Sequence, residues 1–127
     1  MRILVVDDNE DVADSLSMLL RMDGHEVRTE YRGANAVNTA AEFSPEVILS
    51  DIGMPEIDGY EVARRLREEP RCAGATLIAL TAWARPGDRE LSREAGFDHH
   101  LAKPADPAEV RQLIRSMDGR HNGQPNY

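Results

Sequence analysis

Residues 3–9 read Ile3-Leu4-Val5-Val6-Asp7-Asp8-Asn9, a short apolar run followed at once by polar residues. Because the apolar residues do not alternate with polar ones and are mostly β-branched, the run predicts a strand buried on both faces, as in a parallel sheet. The segments 47–51 (VILSD) and 76–81 (TLIALT) repeat the pattern, and each again ends on a polar residue. The sequence therefore predicts a parallel sheet whose strands carry polar side chains to one edge.

The segments between these strands carry apolar residues at helical spacing. Val12, Leu16, Leu19 and Leu20 share one face of the first segment, which Gly24 is suited to end. Two weaker strands complete the pattern, a polar one at 25–30, expected at an edge of the sheet, and a short one at 98–102. Five strands alternating with five helices predict an α/β fold with helices on both faces of a parallel sheet.

Composition and charge narrow the classes of partner. The 127 residues suit one domain, over 1–117, and we expect the polar residues 118–127 to form a flexible tail. The net charge is −8 and no basic stripe is present, so we expect no direct binding to nucleic acid. Apolar runs are too short for a secretion signal or a membrane span, and the single Cys72 excludes an internal disulfide. We therefore expect a cytoplasmic protein without membrane contact.

The ends of the predicted strands carry the polar residues that indicate function, namely Asp7, Asp8, Asp51, Thr81 and Lys103. The carboxyl ends of parallel strands meet at one edge of a sheet, where open α/β sheets bind ligands. Two carboxylates about 4 Å apart repel by about 4 kcal/mol at an effective dielectric near 20, so three in one cleft require a cation or a proton. Mg²⁺ is suited to this cleft, because it takes one or two carboxylates together with phosphate oxygens. The set indicates phosphoryl transfer, in which a carboxylate can be the nucleophile.

Five local strings in order connect these residues with a known family: LVVDDN at 4–9, DIGMP at 51–55, DG at 58–59, LTA at 80–82 and KP at 103–104. Asp51 lies 44 residues after Asp7, Thr81 a further 30 and Lys103 a further 22. In order and spacing they resemble the receiver domain of two-component response regulators, over residues 1 to about 117. The resemblance implies a flavodoxin-like receiver fold, a doubly wound five-stranded parallel sheet with strand order 2-1-3-4-5.

The resemblance also implies roles for the matching acidic residues. Asp51 would accept the phosphoryl group from a phosphohistidine of a sensor histidine kinase or a histidine phosphotransfer protein. Asp7 and Asp8 would hold Mg²⁺, one directly and one through water, together with Asp51 and the backbone carbonyl of Gly53.

The remaining matches concern the conformational change that phosphorylation would cause, which we call the switch. Thr81 and Lys103 would contact the phosphoryl group, Thr81 would move with it, and the peptide bond before Pro104 would be cis. Three residues before this lysine the family usually carries Tyr or Phe, which rotates inward as the threonine shifts. Here the position holds His100, an imidazole that can still rotate and form hydrogen bonds, so the sequence leaves the coupling open.

Three further features qualify this interpretation. Trp83 and Gly53 would flank the approach of water to the phosphoryl group, and their combined effect on dephosphorylation is left open. The segment 96–104 resembles receivers found with hybrid sensor kinases. His99 and His100 stand at successive strand positions and therefore point to opposite faces, which argues against a transition-metal site.

The resulting hypothesis is a single-domain receiver that is phosphorylated on Asp51 and then changes its binding to a downstream target protein. It would be a signalling domain with slow self-hydrolysis of its aspartyl phosphate rather than a metabolic enzyme. The alternative is a receiver-like interaction module that phosphorylation does not regulate, although such modules usually lack one of the acidic residues or the lysine. A Mg²⁺-dependent phosphatase is less well supported, because Gly53 stands where that class would carry a second aspartate.

Overall fold

The computed structural model describes residues 1–53, 59–81 and 88–121, with residues 88, 89 and 118–121 described by their backbone alone. The sequence features at Pro55, Asp58 and Trp83 lie outside the described residues, as does the segment 122–127 of the expected tail. None of the described helices is long and apolar enough to cross a membrane.

Strands and helices alternate along the described chain. The strands are Arg2–Val6 (β1), Glu26–Glu30 (β2), Val47–Asp51 (β3), Thr76–Thr81 (β4) and His99–Ala102 (β5). The helices are Glu10–Met22 (α1), Gly33–Phe43 (α2), Gly59–Glu68 (α3), Asp88–Ala95 (α4) and Pro107–His121 (α5). All paired strands are parallel, and their order in the sheet is β2-β1-β3-β4-β5. The predicted fold and strand order are confirmed.

The side chains of the central strands alternate between two apolar cores, one on each face of the sheet. Ile3 and Val5 pack in the core formed with α1 and α5, whereas Leu4 and Val6 pack in the core formed with α2, α3 and the end of α4. Every residue of β3 is buried, which explains its unbroken apolar pattern. The edge strand β2 buries only Val27, which explains its polar composition.

The apolar pattern of the sequence did not predict the N-cap of α1 or the last turn of α5. The N-cap of α1 is Asn9, whose side-chain oxygen accepts a hydrogen bond from the backbone N–H of Val12 at 3.2 Å. The last helix, α5, continues to His121, four residues past the predicted domain limit at 117. The predicted limit at 117 followed the apolar stripe, which ends at Met117 and marks the buried face rather than the last helical turn. The division into a domain over 1–117 and a tail over 118–127 stays a prediction.

Gly59 begins α3 directly against the strand end that carries Asp51. A Cβ atom at this position would lie 2.5 Å from Cα of Ile52 and 2.6 Å from the backbone oxygen of Asp51. Because both are backbone atoms, relief of the contact requires a shift of the strand end itself. We expect Gly59→Ala to lower the free energy of unfolding by about 1–3 kcal/mol in urea denaturation. Gly74→Ala is the control, since nothing lies within 4 Å of its Cβ position, and equal effects of the two variants would contradict the expectation.

Candidate functional site

Two neighbouring strands bring three carboxylates to the same point of the sheet edge. β1 is followed by Asp7, which is fully buried, and Asp8, which is exposed, while β3 ends on the buried Asp51. One carboxylate oxygen from each residue lies within 4.8 Å of those of the other two. The acidic residues that the sequence analysis grouped together therefore form one cluster, which we call the acidic cluster.

Backbone N–H groups fix the orientation of the two buried carboxylates. Oδ1 of Asp7 accepts a hydrogen bond from the N–H of Asn9 at 3.0 Å, and Oδ1 of Asp51 accepts one from the N–H of Gly53 at 3.2 Å. Because Asn9 also caps α1, Asp7 is tied to the start of that helix. The sequence analysis did not assign Asn9 a role, although an Asn between a strand and a helical pattern is a known N-cap signal.

Lys103 places its ammonium group between the two buried carboxylates. Its Nζ lies 2.7 Å from Oδ2 of Asp7 and 3.4 Å from Oδ2 of Asp51. Its backbone N–H donates to the backbone oxygen of Thr81 at 2.7 Å, which holds the chain after β5 against the end of β4. The peptide bond that follows, Lys103–Pro104, is cis. Lys103 thus supplies the cation of the site from a third strand end.

The pKa values of Asp51 and of the neighbouring Lys103 are both shifted in this site. Burial, the negative charge of Asp7 and a hydrogen bond with Asp8 raise the pKa of the Asp51 carboxyl to about 6, against the opposing effects of Lys103 and the Gly53 N–H. Burial by itself would lower the pKa of Lys103, but its close ionic contact with Asp7 and the charges of both buried carboxylates raise it above the ordinary value. Lys103 is therefore a cation at neutral pH, and this one cation faces three carboxyl groups.

The oxygen donors of the acidic cluster fit Mg²⁺. Carboxylate oxygens are the hard ligands that this ion takes in proteins. Oδ2 of Asp7 is buried and receives no aligned hydrogen bond from the described residues, so its contact with Lys103 is an ion pair that leaves room for a further electrostatic partner. A divalent cation beside Asp8 and Asp51 would offset the negative charge that Lys103 leaves unbalanced.

Thr81 borders the acidic cluster, whereas His100 does not. Thr81 is buried at the end of β4, the strand next to the one that carries Asp51, and pairs with Ala102 of β5. His100 pairs with Ala79, two residues further from the edge at which the cluster lies. The two predicted switch residues therefore lie on adjacent strands but at different heights in the sheet.

An apolar groove of about 370 Å³ borders the site on the side of Lys103. It lies between α1 and the segment that follows β5, and its apolar lining comes from Val12, Leu16, Leu19, Leu80, Pro104 and Ala105. Because Lys103 lines the groove and also contacts Asp51, a molecule in the groove would lie beside the acidic cluster. The sequence analysis missed this groove, because its lining residues follow the same periodic pattern as core residues.

The comparison with known protein families agrees with this geometry. The family model of the response regulator receiver domain matches residues 3–115. The chain belongs to this family. Receiver domains are phosphoacceptor domains of two-component signalling and bind Mg²⁺ in their active sites. The resemblance found in the sequence is thereby confirmed.

Individual relatives cover the chain to similar extents. The chain is 39% identical over 115 residues to an uncharacterized 14.6 kDa protein of Leptolyngbya boryana. This match covers 91% of the chain and 88% of that protein. The chain is also 39% identical over 116 residues to the transcriptional regulatory protein PrrA of Mycobacterium tuberculosis, spanning 91% of this chain but 49% of PrrA. The chain thus spans about half the length of several of its curated relatives.

A solved structure extends the comparison to the site. The receiver domain of sensor histidine kinase PA1611 from Pseudomonas aeruginosa PAO1 was crystallised with a magnesium ion coordinated in its active site cleft. It superimposes with a TM-score of 0.82 at 35% sequence identity, covering 91% of this chain and 94% of that chain.

The raised pKa of Asp51 predicts how stability depends on pH without a metal. The folded protein holds the Asp51 proton more tightly than the unfolded chain does, so this group stabilises the fold below about pH 4 and loses that contribution as pH rises through about 6. Asp51→Asn cannot ionise. In EDTA we expect the variant to gain stability relative to wild type between about pH 4 and pH 7, by about 1–3 kcal/mol in urea denaturation.

The matched control is Asp23→Asn, at the opposite end of α1, where the carboxylate pairs with Arg111 at 2.9 Å. It removes a carboxylate that is not part of the acidic cluster. A stability difference between Asp51→Asn and wild type that is constant over this pH range, or that falls as pH rises, would show that Asp51 is not destabilised by ionisation.

Proposed function

We propose that Asp51 accepts a phosphoryl group from a phosphohistidine in a Mg²⁺-dependent reaction, and that the chain acts as a switch for partner binding. The observation that supports this most directly is the position of Oδ2 of Asp51. It belongs to a buried carboxylate, lies 3.4 Å from Nζ of Lys103 and stands within an acidic cluster suited to a divalent cation.

The proposed transfer follows from which atoms are already engaged. Oδ1 of Asp51 accepts the Gly53 N–H, so Oδ2 is the oxygen that attacks phosphorus. The new O–P bond forms as the N–P bond of the donor breaks, and the leaving imidazole takes a proton from solvent. Lys103 is placed to bond a phosphoryl oxygen, which would bring it away from Asp7. Bound Mg²⁺ would supply the positive charge that the phosphoryl oxygens need, held by Asp7, Asp8, Asp51 and, as predicted, the Gly53 carbonyl.

The groove beside Lys103 suits the docking of a phosphohistidine donor. A donor must bring its phosphorus within bonding reach of Oδ2, so its contact surface has to lie on the rim of the cleft. The groove meets this condition, and its accessible apolar lining of Val12, Leu19 and Pro104 suits an apolar helix face, as on a histidine kinase or a histidine phosphotransfer protein. The acidic residue Asp11 at its edge favours a donor that carries basic residues beside that apolar face.

The proposal also includes a conformational switch and the surface that a target protein would bind. Thr81 would bond the phosphoryl group and transmit its arrival to the adjacent strand β5, where His100 lies. The target protein would bind the surface formed by α4, β5 and α5. Slow hydrolysis of the aspartyl phosphate would reset the switch.

The single-domain form of this function draws support from one relative. The Leptolyngbya boryana protein matches the chain over 88% of its own length, which leaves little room for an output domain in that protein. The alternative function is a receiver-like interaction module that phosphorylation does not regulate. The presence of all three acidic residues and the lysine at one site favours the function that depends on phosphorylation.

The proposal is tested by intact-mass measurement after incubation with acetyl phosphate. We expect wild type to gain one phosphoryl group in the presence of Mg²⁺ and none in EDTA, because the acidic cluster repels an anionic donor unless a cation offsets its charge. Asp51→Asn should gain none under either condition. Asp23→Asn is the control, and should behave as wild type since its carboxylate lies at the far end of α1.

Each outcome of this experiment separates the two functions. A Mg²⁺-dependent adduct that persists in Asp51→Asn would place the phosphoryl group elsewhere and contradict the assignment of Asp51. If wild type gains no adduct from acetyl phosphate or from a phosphorylated histidine phosphotransfer protein, the interaction module is the better description.

A further inference from the structure

The side chain of His100 lies on the face of the sheet that packs against α4. Side chains alternate along a strand, and Leu101 packs in the core formed with α1 and α5. His100 therefore projects to the opposite face. Its partner on β4 is Ala79, which is buried in the core on that side. The methyl group of Ala79 leaves space above β4 for the neighbouring imidazole.

Ser92 presents a buried hydroxyl to the same region. It lies on α4, is 3% exposed, and its Oγ has no hydrogen-bond partner among the residues that the structure describes. A serine within a helix usually bonds a carbonyl of the preceding turn, and a buried hydroxyl without a partner is unfavourable. A group that moved next to Ser92 and formed a hydrogen bond with its hydroxyl would therefore be stabilised there.

One cavity connects the two side chains. It has a volume of about 300 Å³, lies between α4 and the edge strand β5, and is lined by Ser92, Arg93, Phe97, Asp98, His99 and His100. Arg93, Asp98 and His99 are exposed at its rim, whereas Phe97 is a buried wall. The cavity has room for the imidazole of His100 to move toward Ser92.

Thr81 can control this movement. Thr81 follows Ala79 by two residues on β4, so both point to the face that carries α4. Thr81 pairs with Ala102, which makes His100 its diagonal neighbour on the same face of the two parallel strands. Since Ala79 and Ala102 are small, no bulky side chain of these two strand pairs separates Thr81 from His100.

We infer that Ser92 is the hydrogen-bond partner of the His100 imidazole in the phosphorylated state, and is therefore a positioning residue of the switch. This inference rests on the proposed function. When Thr81 shifts toward the phosphoryl group, the imidazole moves into the cavity and its ring nitrogen pairs with Oγ of Ser92. The same movement carries the partly buried imidazole closer to α4, which alters the surface that β5 and α4 offer to a target.

The test uses the full chain with Mg²⁺ and beryllium fluoride, which mimics the phosphoryl group on an aspartate. In wild type we expect the ¹⁵N resonances of the His100 ring to shift on addition of the mimic. In Ser92→Ala this shift should disappear. The mimic should also bind about twofold to tenfold more weakly, because the variant lacks one hydrogen bond that forms only in the active state. Ser92→Thr keeps a hydroxyl and should restore both.

Two controls distinguish this role from a structural one. Ser92→Ala should unfold no more easily than wild type without the mimic, whereas Ser17→Ala should be less stable, because Ser17 bonds the Thr29 hydroxyl at 2.7 Å. His100→Ala should weaken binding of the mimic as Ser92→Ala does, and the double variant no further.

The outcomes are separable from those of the proposed function. If wild type binds the mimic with Mg²⁺ but Ser92→Ala shows the same ring shifts, or if the two single effects add in the double variant, the role of Ser92 is wrong and phosphorylation of Asp51 is unaffected. If wild type does not bind the mimic with Mg²⁺, both the proposed function and this inference are wrong.

Discussion

The mutual repulsion of Asp7, Asp8 and Asp51 is the constraint on which the site depends. Their oxygens lie within 4.8 Å of one another, and two of the three residues are buried, where water screens charge poorly. Lys103 offsets part of the charge from 2.7 Å and 3.4 Å, but burial and the remaining negative charge of Asp7 still raise the pKa of Asp51 to about 6. The cluster therefore favours any added positive charge, and this preference underlies both the metal site and the proposed transfer of a phosphoryl group.

The fold holds this unfavourable cluster by placing it at the ends of its most deeply buried strands. All residues of β3 are buried, and β1 lies between β2 and β3 with its apolar side chains in both cores. The close approach of Gly59 to the backbone at Asp51 and Ile52 packs the start of α3 against the same strand end. The burial of these strands stabilises a site that is itself destabilising, so a charge added to the site can shift side chains locally without disrupting the fold.

The sequence predicted most of the fold, because apolar runs ending on aspartate, threonine or lysine identify parallel strands and their common edge. It also grouped the acidic cluster with Lys103, since topology alone brings strand ends together. Asn9 could have been identified as a cap from its place before α1. The buried hydroxyl of Ser92 and the groove beside Lys103 could not, because they depend on which residues of different elements face each other. The helical backbone at 118–121 was missed, since no apolar residue marks that turn.

If a divalent cation balances the charge of the acidic cluster, Mg²⁺ must stabilise the folded protein, and urea denaturation at neutral pH and constant ionic strength, with and without millimolar Mg²⁺, measures this effect. We expect Mg²⁺ to stabilise wild type by binding to the folded state, and Asp8→Asn to lose most of this gain. Asp14→Asn, on the exposed side of α1 where its carboxylate accepts a hydrogen bond from Tyr31, should keep the gain in full. Equal stabilisation of all three proteins, or none of wild type, would contradict the account.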